Sequence, residues 1–127
     1  NQSFSLKERN KFGAQNIDLI NLINAQKINV IFATVGLNTQ IRKKFDKKIP
    51  NYIEITIKSR LDHLKKIKVR KFYNNNSKNV WGKDIKAEYP KKPDVLIIND
   101  FKKNLNDMKF LTLYKLTKLK KLKNFIK

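Results

Sequence analysis

Three short apolar runs constrain the fold of this chain more than any other feature. They are Ile28-Asn29-Val30-Ile31-Phe32-Ala33-Thr34-Val35, Tyr52-Ile53-Glu54-Ile55-Thr56-Ile57 and Asp94-Val95-Leu96-Ile97-Ile98. Runs this short and this rich in β-branched residues suit strands, and the first suits a strand covered on both faces of a parallel sheet. Helical patterns lie between them. Ser5-Leu6-Lys7-Glu8 reads as a capping box, followed by Phe12, Ile17, Ile20, Leu22 and Ile23 up to about Ala25. Thr39 to Phe45 reads as a short helix, Ser59 to about Lys68 as another, and Asn74-Asn75-Asn76-Ser77 as a polar loop. Pro50 breaks the chain before the second run, and Pro90 and Pro93 precede the third. Residues 103–127 form a basic amphipathic helix through Leu105, Met108, Leu111, Leu116, Leu119 and Leu122. This order predicts one α/β domain over residues 1–127, a mostly parallel sheet flanked by helices. Ligands in such sheets sit at the carboxyl ends of the strands, here Thr34–Asn38, Ile57–Ser59 and Asn99–Phe101.

Composition narrows the function classes. Without cysteine there is neither a disulfide framework nor a thiolate metal site. No apolar run has the length of a membrane span, and no secretory leader pattern opens the chain, so the expectation is a cytoplasmic protein without a membrane partner. A net charge of +20 raises a nucleic-acid hypothesis. Only four of the 30 basic residues are arginine, and the lysines are spread along the chain. Abundant Lys, Asn and Ile follow from A/T-rich codons, so the expectation is solvated lysine faces that steer an anionic substrate, with no specific nucleic-acid partner. A basic nucleic-acid-binding module is the alternative from another class. The lysine-rich helix after Asn104 could also lie on a membrane surface; packing on the sheet is the favoured reading.

Catalytic signatures are sparse. No GxxxxGKS/T occurs, and the glycines Gly13, Gly36 and Gly82 stand far apart, so nothing here cradles a triphosphate. His63, the sole histidine, falls in a helical pattern beside lysines and reads as a surface residue. No spacing of acids or histidines calls for a metal. The most informative loop is Lys78-Asn79-Val80-Trp81-Gly82-Lys83-Asp84-Ile85, which holds the only tryptophan. Such a loop could close over a base and phosphates, or it could tuck Trp81 into the core.

Taken in order, these segments resemble the adenylylsulfate (APS) kinase family. Phe4-Ser5-Leu6-Lys7-Glu8-Arg9 is similar to that family's GFSxxDR, and Asn29 to Val35 to its NVICATI strand. Ile49-Pro50-Asn51-Tyr52-Ile53-Glu54, with Lys58, Asp62, Leu64 and Tyr73, resembles IPNYxEVYIK and the stretch after it. Lys78 to Ile85 resembles KNVVGVDI, and Pro90-Lys91-Lys92-Pro93-Asp94-Val95 resembles PxxPDLVI. The matches span roughly residues 3 to 100 with nearly constant spacing, apart from about four residues missing after Tyr73. The chain opens on Asn1, and the family's Walker loop and LDGDN-like stretch lie upstream of the matching region, so the resemblance is to a C-terminal portion.

The resemblance implies a three-layer P-loop-kinase-like parallel sheet flanked by helices, incomplete at the N-terminus. It implies transfer of the γ-phosphoryl group of ATP to the 3′-hydroxyl of APS, with Mg2+ neutralising charge and ADP and 3′-phosphoadenylylsulfate as products. APS is the implied partner, and a homodimer is compatible with it. Arg9 corresponds to an APS-contacting arginine; Lys78, Trp81, Gly82 and Asp84 to substrate-side loop positions; Arg70 and Lys83 to lid positions near phosphate. Asn38 closes Val35-Gly36-Leu37-Asn38, which stands where the family has ISPF or ISLF, and is grouped with the substrate positions. No residue is assigned to a metal. Other positions depart: Phe12, Ala14 and Gln15 replace the Asn and paired arginines of ENIRR, and Ile67-Lys68 replaces an Arg-Asp pair. Isoleucine cannot serve as a bidentate phosphate clamp, so a catalytically degenerate relative is a second expectation.

Overall fold

The computed structural model describes residues 5–59 and 78–124. The predicted helix at 59–68, the loop at 74–77 and the positions Arg70, Ile67 and His63 lie outside the described residues, apart from Ser59 itself. The protein is mixed α/β: helices α1 (Leu6–Ala25), α2 (Thr39–Lys48) and α3 (Leu105–Thr117), strands β1 (Ile55–Lys58) and β2 (Val95–Ile98), and a final 3-10 turn at Lys120–Asn124. Contacts gather into two compact units. One comprises Asn1–Tyr52 with Lys78–Tyr89, the other Ile53–Ser77 with Pro90–Lys127.

In the first unit, α1 starts where the capping box places it. The Ser5 hydroxyl accepts the Glu8 N–H at 3.3 Å, and the Glu8 carboxylate accepts the Ser5 N–H at 3.1 Å. The helix ends at Gln26, after which Lys27 turns into the left-handed region at φ 61°. Gly13, Ile17 and Ile20 form its buried stripe, at the i, i+4, i+7 spacing of one helical face. Phe12 and Leu22 point to solvent. Gly13 is where α2 comes closest: a Cβ there would sit 2.9 Å from both Cδ1 and Cγ2 of Ile41. Ile17 and Ile20 pack with Phe45 of α2, and Ile41, Ile49 and Tyr52 close around them. Phe32 stacks on Phe45 at 5.8 Å between centroids, and Tyr52 is tilted against Phe45 at 6.1 Å.

The strand expected at Ile28–Val35 is corrected by the structure. Residues 28–38 form no ladder and no helix, and Ile31 is 99% exposed. The reason is that a strand exists only through its neighbours: β-branched composition favours strand, but no partner edge pairs with this segment among the described residues. The sheet therefore has two strands among the described residues, not three.

In the second unit, β1 and β2 run parallel in the register Ile55↔Val95 to Lys58↔Ile98, flanked by the Val95 N–H to Glu54 O and Asn99 N–H to Lys58 O bonds. Val95 and Ile97 are buried, whereas Leu96 and Ile98 on the alternate face are exposed. The helix α3 packs against β2, capped by Asn104, whose side chain accepts the Asp107 N–H at 2.9 Å. It stops at Thr117, short of the continuous 103–127 helix expected from the leucine pattern, because the chain tightens into the 3-10 turn. The Ser59 hydroxyl donates to the Asn99 carbonyl just past the strand ends.

Asp94 ties the start of β2 to both neighbours. Its carboxylate accepts the Glu54 N–H at 2.8 Å and meets the Lys121 ammonium at 2.8 Å. Burial is the largest single influence and opposes ionisation, but the Glu54 and Lys121 interactions together outweigh it and hold the carboxyl below its ordinary value. A depressed carboxyl stabilises the fold above its unfolded pKa of about 3.9, and that contribution is lost as pH falls through the lower folded value. Asp94→Asn is therefore expected to lower the urea midpoint at pH 7, with the gap from wild type closing below about pH 4. A gap of unchanged size at low pH would show that charge on Asp94 is not what stabilises the strand start.

Candidate functional site

The residues marked as substrate-side fall mostly in the first unit, around the opening turns of α1. The capping box starts the helix at Leu6, so Arg9 and Asn10 emerge within its first turn or so, each half-buried. Arg9 reaches a loop that lies 70 positions away in sequence: its Nη2 donates to the Asn79 carbonyl at 3.0 Å. Its guanidinium also stands over the Trp81 ring, 5.5 Å from the centroid. Asn10 accepts from Asn38 Nδ2 at 2.6 Å. Arg9, Asn38 and the 78–84 loop, separate in sequence, are thus linked through α1.

The loop is closed by its own bonds. The Val80 carbonyl accepts from the N–H groups of Lys83, Asp84 and Ile85 at 3.2, 2.9 and 3.1 Å. The Asp84 carboxylate accepts the Val80 N–H at 3.0 Å, and the Gly82 N–H donates to the Ile85 carbonyl at 2.8 Å. Gly82 takes φ +79°, the left-handed region where a side chain is strained, and its α-carbon faces open space. Asn79 also takes a positive φ, and its carbonyl accepts from Arg9. Lys78, Gly82, Lys83 and Asp84 are exposed around the loop, while Trp81 is 8% exposed. Trp81 is therefore packed, with Arg9 over its ring, and stacking on a base would require Arg9 or the loop to move. The buried indole Nε1 finds no hydrogen-bond acceptor among the described residues. An unmade bond at a buried N–H costs on the order of 1–3 kcal/mol, so the indole favours any acceptor that reaches it.

Asn38 has a second task. Its Oδ1 caps α2, accepting from the Gln40 and Ile41 N–H groups at 2.9 and 3.3 Å. Two residues that sequence reasoning passed over brace it. Glu88 accepts the Thr39 N–H at 2.8 Å on the same helix end. Arg42 donates to the carbonyls of Gly36 and Glu88 at 2.5 and 2.6 Å and to the Thr39 hydroxyl at 3.0 Å. The Thr39 bond, with the nearby Arg42 charge adding less, holds the Glu88 carboxyl below the usual carboxylate range. A helix N-terminus is a ready place for phosphate, but this one is filled by Asn38 and Glu88.

The described residues do not fit the implied Mg2+ and ATP. No group of three His, Cys, Asp or Glu side chains gathers for a metal among them. Their glycines occupy a helix interior, the approach to α2 and the 80–85 loop, not one phosphate-cradling turn. No helix among the described residues is long and apolar enough to cross a membrane. Comparison with known protein families, with curated proteins and with solved structures finds no match for the chain.

Proposed function

We propose that the chain carries the substrate-side and loop half of an APS-kinase-type phosphotransferase, part of a larger three-layer P-loop-kinase sheet. The observation that carries this reading is the contact of Arg9 with the Asn79–Trp81 stretch. The two segments whose sequences resemble that family's substrate-binding stretches stand side by side, although 70 positions separate them. Arg9 and the Trp81 indole N–H are both hydrogen-bond donors, and the nearest loop acid, Asp84, is engaged by Val80. Two donors set close together, the Arg9 guanidinium and the indole N–H, suit the sulfate and phosphate oxygens of APS. The β-branched, unpaired 28–35 segment and the single-sided pairing of β1 among the described residues support a sheet that has further strands to pair.

In this reading the chain binds APS and does not by itself hold ATP. Titrating APS into the folded chain is expected to give a saturable change in Trp81 fluorescence, since the only indole lies in the loop. Arg9→Lys keeps the charge but loses the fork of donors, and is expected to weaken that response by about ten- to a hundredfold. A chain shown to be folded by circular dichroism that does not respond to APS would sink the proposal. Binding without transfer, once an ATP-binding partner half is supplied, would identify the catalytically degenerate relative.

A further inference from the structure

The outer face of α3 has no role in the reading above. The helix presents two opposite faces of identical spacing. Met108, Leu111, Thr112 and Lys115 form one, and all four are partly buried on the side that packs against the sheet. Lys115 confirms that side, since its ammonium reaches the Leu96 carbonyl at 2.6 Å. Phe110, Leu113, Tyr114 and Thr117 form the other at the same i, i+3, i+4, i+7 positions, and all are exposed: Phe110 is 65%, Leu113 50% and Tyr114 61% open to solvent. Leu105, also exposed, lies at the helix start on the Met108 side and is not part of this stripe.

Charge surrounds this second stripe. Between Lys102 and Asn124 the sequence holds eight lysines and a single acid, Asp107. Two of those lysines border the aromatic rings directly. Lys109 Nζ lies 5.6 Å from the Phe110 ring, and Lys118 Nζ lies 5.1 Å from the Tyr114 ring. An apolar strip bordered by lysines on long stems matches the boundary between acyl chains and anionic headgroups. Phe, Leu and Tyr enter the apolar layer, the Tyr hydroxyl stays at its wet edge, and the ammonium groups meet lipid phosphates. A second copy of the chain fits poorly, because each copy carries +20 and would bring its lysines against the other's. Nucleic acid fits less well than lipid. The segment has no arginine, and Leu105 and Leu113 offer nothing to phosphates or base edges.

We infer that the Phe110–Leu113–Tyr114 face of α3, with Lys109 and Lys118 beside it, is a docking surface for anionic membranes. The helix lies on the bilayer surface and does not span it. The test is cosedimentation of the full chain with phosphatidylcholine vesicles, with and without roughly a third phosphatidylserine. Binding is expected only with the anionic lipid, weakened by added salt. It should fall more than about tenfold in Phe110→Ser/Leu113→Ser, whose sites are already exposed. Lys109→Glu/Lys118→Glu leaves the apolar stripe intact and is expected to give a similar loss, which keeps the test decisive if the first variant is poorly folded. Failure to bind anionic vesicles overturns the inference, as does binding retained in full by both variants. Two further results would also overturn it: a dimer in sedimentation equilibrium that the first variant dissociates, or single-stranded nucleic-acid binding that the same variant abolishes while vesicle binding persists.

Discussion

Phe45→Ala is expected to remove about 3–5 kcal/mol of stability. Phe45 is 6% exposed and stands at the centre of the first unit's core. Ile17 and Ile20 reach it from α1, Phe32 and Tyr52 flank its ring, and Ile41 and Ile49 complete the shell. Truncation would remove the transfer energy of the ring, leave a cavity between two helices, and end both aromatic contacts. The neighbours cannot collapse freely into the space. Gly13 already brings α1 within a methyl's reach of Ile41, so the two helices have little room to slide. Small domains are stable by only about 5–15 kcal/mol, so this one change would take a large share. Trp81 belongs to the same unit and gives the readout: the urea midpoint followed by its fluorescence should drop steeply. A loss below about 1 kcal/mol would show that the α1–α2 core is not what holds this unit together.

The second unit depends on Ile97 in the same way. It is completely buried, in the middle of a strand of four residues, with Val95 at 2% exposure two positions before it. Ile97→Ala is expected to cost about 2–5 kcal/mol, toward the upper end because a short parallel pair has few other contacts to share the loss. The effect should be read where the ladder is made. The Val95 N–H donates to Glu54 O and the Asn99 N–H to Lys58 O, so amide exchange at both should accelerate in the variant. Unchanged protection at both amides would mean that the strand pair is held by something other than the burial of Ile97.

How much of this was legible follows from how local each determinant is. The start of α1 could be read because both partners of its capping box lie within four residues. The α3 start was equally local, at Asn104 and Asp107. Two strands fell close to their expected places, with β1 shifted to Ile55–Lys58. The 28–35 strand failed because pairing is a property of two segments, and composition speaks for only one. In the site, the contact of Arg9 with Asn79 spans 70 positions and has no signature in spacing; only the ordered family-like segments pointed to both ends. Glu88 bonds to Thr39 across 49 positions and gave no signal at all. Arg42 had one only in the scarcity of arginine. Where lysine dominates so heavily, the few arginines are the positions at which a planar fork does what an ammonium cannot, and Arg9 and Arg42 both bind backbone carbonyls.

The unpaired segment ahead of α2 has a consequence for the chain as a substance in solution. From Asn29 to Val35 it has no charge, no proline and no glycine, and Ile31 stands fully in water. A window of that kind is a template for cross-β stacking between identical molecules. The nearest charges, Lys27 upstream and Arg42 downstream, act as gatekeepers. The excess of positive charge thereby acquires a colloidal role: it keeps an exposed aggregation-prone segment from finding its own copy, and salt, by screening it, removes that protection.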